Sequence, residues 1–139
     1  MTEVKRVLFV CTGNKARSQM AEGLLRHLAG DRFEAHSAGT RPSGLAEETV
    51  TVMREIGIDV SGQRSKHVDE FAGQTFECVI TVCDSARQEC PVFPGGRHFH
   101  WDIEDPADTE HAGASRLDAF RQARDALRGH IEAFVREAG

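Results

Sequence analysis

The sequence predicts an α/β fold in which a four-stranded parallel sheet carries helices on both faces. Strand-like and helix-like segments alternate along the 139 residues in the order β-α-β-α-β-α-β-α. Such alternation is typical of parallel sheets, because each helix returns the chain to the edge where the next strand begins. The length suits one hydrophobic core, so we expect residues 1–139 to form a single domain.

The first half of the chain contains two strand signals and two helix signals. Residues 6–10 form a compact apolar strand, and a weaker strand covers residues 33–37. The helix between them ends near Gly30, and its predicted buried face is Met20, Ala21, Leu24, Leu25 and Leu28. A second helix spans residues 45–56 and stops at Gly57. Its predicted inward side chains are Ala46, Val50, Met53 and Ile56.

The second half continues the pattern after a polar, irregular stretch at residues 61–75. Residues 76–82 and 97–101 are the third and fourth strands. Ser115 and Asp118 have the spacing of a capping box, which predicts that the last helix begins there. Its predicted stripe is Leu117, Phe120, Leu127, Ile131 and Phe134.

Composition and charge exclude several classes of function. A net charge of −5 disfavours binding to nucleic acid or to an anionic membrane. No apolar run approaches the roughly 20 residues of a membrane span, and the first apolar stretch is too short for a signal peptide. We therefore expect a cytoplasmic protein. In that reducing compartment, four cysteines indicate catalytic or redox activity rather than a structural disulfide framework.

The loop after the first strand carries a motif for binding an oxyanion. Cys11 and Arg17 enclose five residues between a buried strand and a helix. Gly13 and Asn14 tolerate the dihedrals that turn successive amides inward. The following helix points its positive end at the same place, and Arg17 adds a guanidinium fork. The predicted oxyanion-binding residues are Thr12, Gly13, Asn14, Lys15, Ala16, Arg17 and Ser18.

Cys11 is the predicted nucleophile of this loop. The positive field that binds an oxyanion also stabilises a thiolate, and Ser18 can donate a hydrogen bond to the sulfur. The plainer interpretation is a buried cysteine at a strand end beside a surface arginine. The position of the motif between a strand and a helix argues against that interpretation.

A general acid is expected in the loop after the fourth strand, at the same edge of the sheet. Asp105 precedes Pro106, which fixes the backbone and presents the carboxylate. An ordinary Asp-Pro turn is the alternative. Asp102, Glu104 and Asp108 are close by in sequence and could serve instead.

Cys83 and Cys90 form a second group of thiols at the end of the third strand. If the segment between them is helical, seven residues place them about 10.5 Å apart along its axis, and a disulfide tolerates about 7 Å between Cα atoms. The bond then requires the helix to unwind. A metal pair completed by His98 and His100 is an alternative that the spacing disfavours. Cys78, inside the third strand, is most simply a core thiol.

The segment CTGNKARSQMAEG at residues 11–23 resembles the signature of thioredoxin-coupled arsenate reductases on the low-molecular-weight tyrosine phosphatase fold. The resemblance extends through residues 37–39, 79–83, 90–91 and 101–107, and so covers most of the chain. It implies the strand order 2-1-3-4. It also implies that arsenate is the substrate and that thioredoxin is the partner that restores the reduced enzyme, in arsenic detoxification.

The resemblance implies a role for each candidate site residue. Cys11 is the nucleophile, Arg17 the oxyanion clamp and Asp105 the acid. Cys83 and Cys90 are the redox relay. We expect no cofactor and no metal.

Two departures from the family pattern stand near the loop. Some members bind potassium through an Asn, a Glu, a Ser and an Asp. Asn14, Glu22 and Ser37 match, but Lys66 stands at the Asp position. An ammonium there can replace the cation, so we predict no potassium requirement. Ala16 occupies a position that is cysteine in several relatives, which removes a dispensable thiol.

Two other functions remain as alternatives. A low-molecular-weight tyrosine phosphatase needs the loop and the acid, so weak activity on a small aryl phosphate is expected. Against it, no aromatic residue follows the Asp-Pro in Ala107, Asp108 and Thr109, and the relay cysteines are left without a role. An oxyanion or thiol sensor is the third class, and nothing resembling a DNA-reading element accompanies it.

Overall fold

The computed structural model describes residues 4–106 and 114–138. The elements in these residues are β1 (Lys5–Cys11), α1 (Arg17–Ala29), β2 (Phe33–Gly39), α2 (Glu47–Arg54), a 3-10 helix (Val68–Phe71), β3 (Cys78–Thr81), α3 (Asp84–Glu89), β4 (Arg97–His100) and α4 (Ala114–Ala138). In the part of the chain that is described, no helix combines the length and apolar character needed to cross a bilayer.

The four strands form one parallel sheet in the order β2-β1-β3-β4, which confirms the predicted fold class and strand order. β1 lies in the middle of the sheet: Val7 pairs with Ala35 on one side and with Cys78 on the other. From Val7 onward every residue of β1 is buried. A continuous apolar run is what a parallel strand covered on both faces requires.

One face of the sheet is covered by α1 and α4, which pack against each other. Aromatic rings on this face of the sheet pack against α4. Phe33 and Trp101 lie 5.3 Å and 6.2 Å from the ring of Phe134, and Phe9 lies 5.9 Å from Trp101.

The opposite face carries an aromatic cluster next to the 3-10 helix. The ring of Phe76 lies 5.6 Å from Phe71 and 5.5 Å from Phe93, and His36 lies 5.4 Å from Phe71. Because alternate side chains of a strand point to opposite faces, His36 faces this cluster while Phe33 faces α4.

Two predictions about the helices are wrong, and one is incomplete. Leu28 is 38% exposed, whereas Ala29 in the same turn is buried, so the buried face of α1 continues from Leu25 to Ala29 and leaves Leu28 at its edge. Around α2, Met53 is buried as predicted, and Ala46, Val50 and Ile56 pack against the core while remaining partly exposed. Thr49 and Val52, which were not predicted, are fully buried as well. Ser115 lies within α4 rather than at its N-cap, so the capping box does not mark the start of that helix.

The topology brings the predicted chemical groups to one edge of the sheet. Cys11 ends β1, and Cys83 follows the adjacent β3 by two residues. Asp105 follows β4 at the same carboxyl edge. Parallel sheets bind ligands at this edge.

Candidate active site

The loop between β1 and α1 turns its carbonyl groups away from the pocket. Each carbonyl from residue 11 to residue 15 accepts a hydrogen bond from outside the loop or from α1. The pairs are Cys11 with the Thr40 amide (3.2 Å), Thr12 with the Arg41 amide (2.8 Å), Gly13 with the Ser43 amide (2.9 Å), Asn14 with Gln19 Nε2 (3.0 Å) and Lys15 with the Ala46 amide (3.1 Å). In a trans peptide the next N–H points opposite to the carbonyl, so the amides of this loop point inward.

Two backbone features make this loop possible. Asn14 adopts a φ of +46°, the left-handed region that asparagine tolerates better than most residues. At Gly39, a Cβ atom would lie 2.5 Å from the Thr12 carbonyl oxygen and 2.9 Å from the Asn14 nitrogen. Glycine is therefore required at the end of β2 for the loop to pack against it.

The Cys11 sulfur lies among hydrogen-bond donors and is 2% exposed. The Asn14 amide donates to it over 3.2 Å, and Ser18 Oγ lies 2.8 Å away. Asn14 Nδ2 donates to Ser18 Oγ over 2.8 Å, so the Ser18 hydroxyl is left to donate to the sulfur. This geometry agrees with the prediction that Ser18 bonds to Cys11.

The Asn14 side chain connects the loop to three neighbouring elements. Fully buried, its Nδ2 donates to Ser18 and to Ser37 Oγ (3.0 Å), and its Oδ1 accepts from the Lys66 amide (2.9 Å) and from Gln19 Nε2 (3.1 Å). A buried polar group satisfied on every side holds a single conformation.

Lys66 lies near the carboxylate of Glu22. Ser37 Oγ donates to Glu22 Oε1 over 2.6 Å, and Lys66 Nζ lies 3.9 Å from the same oxygen. Lys66 Nζ also donates to the Arg64 carbonyl over 2.6 Å. Burial lowers the pKa of Lys66, and the charge of Glu22 opposes that shift.

Arg17 faces the pocket from the first turn of α1. Its Nη1 donates to the Ile103 carbonyl over 3.0 Å, and its Nη2 lies 3.6 Å from Asp105 Oδ2. The pocket has a volume of about 210 Å³ and is lined by Cys11, Thr12, Gly13, Lys15, Ala16, Arg17, Arg41, Ser43 and Asp105. This volume accommodates a small tetrahedral anion.

The structure separates the acidic residues of the loop after β4. Asp105 lines the pocket with Cys11, whereas Asp102 and Glu104 do not. Asp108 lies outside the described residues, as do Ala107 and Thr109. The position of Asp105 beside Arg17 favours it as the acid.

Cys83 lies directly against the oxyanion loop. Its sulfur is 3.2 Å from Thr12 Oγ1 and accepts a hydrogen bond from the Ala86 amide over 3.4 Å, which caps α3. The thiol is 6% exposed. The Cys83 sulfur therefore lies against the loop that begins at Cys11.

Cys90 lies at the opposite end of α3, so the segment between the two cysteines is helical. Its amide donates to the Ala86 carbonyl over 2.8 Å. Burial raises the pKa of the Cys90 thiol to about 11, so this thiol is protonated at neutral pH. Its sulfur donates to the Pro91 carbonyl over 3.4 Å.

The histidines of the metal alternative are engaged elsewhere. His98 Nε2 accepts from the Phe93 amide over 3.3 Å, and His100 Nδ1 lies 2.8 Å from Thr81 Oγ1. Among residues 4–106 and 114–138, no three histidine, cysteine or acidic side chains converge as metal ligands. Cys78 is buried within β3, and burial raises its pKa, as suits a core thiol.

Sequence reasoning missed one residue that supports the loop. Gln19 is fully buried, donates to both oxygens of Asn14, and accepts from Gln63 Nε2 over 2.7 Å. The available signal was a polar side chain beside Met20 on the buried face of α1.

Sequence comparison identifies a protein family and relatives that this chain is similar to. The family model described as low molecular weight phosphotyrosine protein phosphatase matches residues 6–138. An arsenate reductase of Halalkalibacterium halodurans is 38% identical over 132 residues, 94% of this chain and 95% of that protein.

Two solved structures extend the comparison. One, of an arsenate reductase in the oxidised state, has a TM-score of 0.84 and 30% identity, and the match covers 98% of this chain and all of that one. The other, of a thioredoxin-dependent arsenate reductase of Corynebacterium glutamicum, has a TM-score of 0.74 and 27% identity. That match covers 96% of this chain and 61% of that one.

Proposed function

The chain belongs to the low molecular weight phosphotyrosine protein phosphatase family, and from this premise we propose that it is an arsenate reductase coupled to thioredoxin. The observation that carries the proposal is the position of Cys83, whose sulfur lies 3.2 Å from Thr12 of the oxyanion loop. A phosphatase requires the loop and an acid. A reductase requires a second thiol beside the first.

Arsenate binds in the pocket as a tetrahedral oxyanion. The inward amides of the loop and the Arg17 guanidinium hold its oxygens, and the Ile103 carbonyl fixes Arg17 in place. The Cys11 thiolate attacks arsenic and forms a sulfur–arsenic bond. Asp105 protonates the departing oxygen, which leaves as water.

Reduction occurs when Cys83 attacks the Cys11 sulfur. A disulfide forms between the two cysteines, and the sulfur–arsenic bond breaks with its electron pair on arsenic. Arsenic leaves as arsenite, two electrons richer. The thiols have been oxidised by the same two electrons.

Cys90 then transfers the disulfide away from the pocket. Once α3 has opened, the Cys90 thiol loses its proton to solvent, and the thiolate attacks the Cys83 sulfur and releases the Cys11 thiolate for another cycle. Cys90 is less buried than Cys11 or Cys83, so the resulting Cys83–Cys90 bond is within reach of a dithiol reductant. Thioredoxin reduces this bond and completes the turnover.

Phosphatase chemistry is the second candidate. It is favoured by the contact of 3.6 Å between Arg17 and Asp105, which places an acid beside the clamp of a phosphate-sized pocket. We expect weak hydrolysis of a small aryl phosphate through the same Cys11 nucleophile.

The separating experiment measures both reactions on the same preparation. Arsenite production is followed with thioredoxin, thioredoxin reductase and NADPH, and aryl phosphate hydrolysis is followed by release of the phenol. The reductase assignment expects arsenite production to dominate. Efficient hydrolysis without arsenite production would instead make the chain a phosphatase.

A single-turnover experiment tests the relay itself. Cys90→Ser is expected to release about one arsenite per enzyme and then stall with a Cys11–Cys83 disulfide, because the last exchange has lost its thiol. Mass spectrometry identifies the linked peptides. Continued turnover of this variant with thioredoxin would remove Cys90 from the mechanism.

A further inference from the structure

We propose that Arg41 is a second arginine of the oxyanion pocket, held by Glu89 in the resting protein and exchanged onto the substrate when the oxyanion binds. The inference rests on the proposed function, because it adds a substrate-binding residue to the same pocket.

Arg41 lies where the loop after β2 forms a wall of the pocket. Its amide donates to the Thr12 carbonyl over 2.8 Å, and the residue lines the pocket together with Cys11 and Arg17. The side chain is 76% exposed, so packing does not fix the guanidinium. Arg41 Nη2 contacts Glu89 Oε1 over 3.2 Å.

The resting contact is weaker than the contact available in the pocket. Glu89 is 40% exposed, and water screens an ion pair between two exposed side chains. An oxyanion held by the inward amides and Arg17 is partly enclosed, and a guanidinium fork can meet two of its oxygens at once. Arrival of the oxyanion therefore favours exchange of partner by Arg41.

The exchange also affects α3, the helix between Cys83 and Cys90. Glu89 is the last residue of α3 and immediately precedes Cys90. The ion pair with Arg41 consequently links the end of this helix to the pocket wall. Substrate binding breaks the link before the relay requires α3 to open.

Binding of inorganic phosphate to the reduced protein tests the proposal without arsenate reduction. Isothermal titration calorimetry is expected to show binding about tenfold weaker in Arg41→Ala, from loss of a charge-assisted contact, and partly restored in Arg41→Lys. Glu89→Gln removes the competing carboxylate and is expected to tighten binding about two- to fivefold. Unchanged affinity in Arg41→Ala would overturn the proposal.

The double variant separates exchange from simple electrostatics. If Glu89 acts through Arg41, Glu89→Gln gives no gain in an Arg41→Ala background. A gain of the same size in both backgrounds would mean that Glu89 repels the anion through space, and the proposal would be wrong.

Arg64 and Glu70 provide a matched control, since they form an ion pair of similar exposure, 66% and 45%, that does not line the pocket. Arg64→Ala and Glu70→Gln should bind phosphate as the wild type does. Equal losses in Arg64→Ala and Arg41→Ala would reduce the effect to net charge and overturn the assignment.

The same variants separate this proposal from the proposed function. If phosphate binding responds as expected but no arsenite is produced, the Arg41 assignment stands and the reductase assignment fails. If arsenite is produced but Arg41→Ala binds phosphate normally, the reverse holds.

Discussion

The oxyanion loop and the redox segment lie side by side but are built in opposite ways. In the loop, each carbonyl from Cys11 to Lys15 is paired, and Asn14 is fully buried. The redox segment is a six-residue helix, and its side chains at residues 87–89 are exposed. One region is fixed before substrate arrives, and the other has few contacts to lose.

This difference suits the two steps that we propose for the regions. Binding and attack require donors that keep their positions, because reorganisation of the site would cost free energy at the moment of reaction. Disulfide transfer requires Cys83 and Cys90 to approach from opposite ends of α3, so that helix has to open. Openings of this kind come from the least stable parts of a fold.

The largest expected effect comes from replacing the nucleophiles of the two regions separately. Cys11→Ser should abolish arsenate reduction and aryl phosphate hydrolysis, because a serine hydroxyl is a poor nucleophile at neutral pH. Cys83→Ser should abolish reduction alone, since the loop is complete without it. Loss of hydrolysis in Cys83→Ser, measured with the fold verified by circular dichroism, would show that the two regions are not separable.

A methyl group placed under the loop tests its rigidity. Gly39→Ala puts a Cβ 2.5 Å from the Thr12 oxygen, so we expect the free energy of unfolding to fall by about 1–3 kcal/mol and both activities to fall with it. Gly62→Ala is the matched control, because a Cβ there meets no atom within 4 Å. Urea unfolding measures the stability of both variants. Equal stability would mean that the loop can move away from β2 at no cost.

Hydrogen exchange compares the mobility of the two regions directly. On forming the Cys83–Cys90 disulfide, residues 84–89 should lose amide protection, while residues 12–18 keep theirs. The measurement compares reduced protein with oxidised protein whose disulfide is verified by mass. Equal protection of α3 in both states would exclude an opening of the helix.

The smallest expected effect concerns the charge beneath the loop. With Lys66 beside Glu22, kcat/KM for arsenate should be the same in potassium and in sodium at equal ionic strength. Lys66→Met removes the ammonium and keeps the length, so a several-fold activation by potassium is expected to appear in that variant. Potassium activation of the wild type would contradict the assignment of Lys66.

The sequence predicted the parts of the molecule that local rules determine. Cys11 and Arg17 were found because a strand, a glycine-containing turn and a helix in succession place amides and a guanidinium at one point. The strand order came from the family resemblance. The exposure of Leu28 could not be predicted, because periodicity gives the direction of a side chain but not which neighbouring elements pack against it.

Contacts between segments that are distant in sequence could not be predicted either. Gln19 supports Asn14 from five residues away, and its role depends on the fold that buries it. Arg41 and Glu89 are 48 residues apart, and only the folded chain brings them together. Polar side chains on a buried face are the one signal that pointed toward such contacts.

The raised pKa of Cys90 has a consequence for a cell under oxidative stress. Peroxides and other electrophiles react with thiolates, so a thiol that is protonated at rest reacts with them slowly. In the opening of α3 that we propose, water reaches the sulfur and the pKa of the thiol returns toward its ordinary value. On this proposal, Cys90 is more reactive toward oxidants during turnover than at rest.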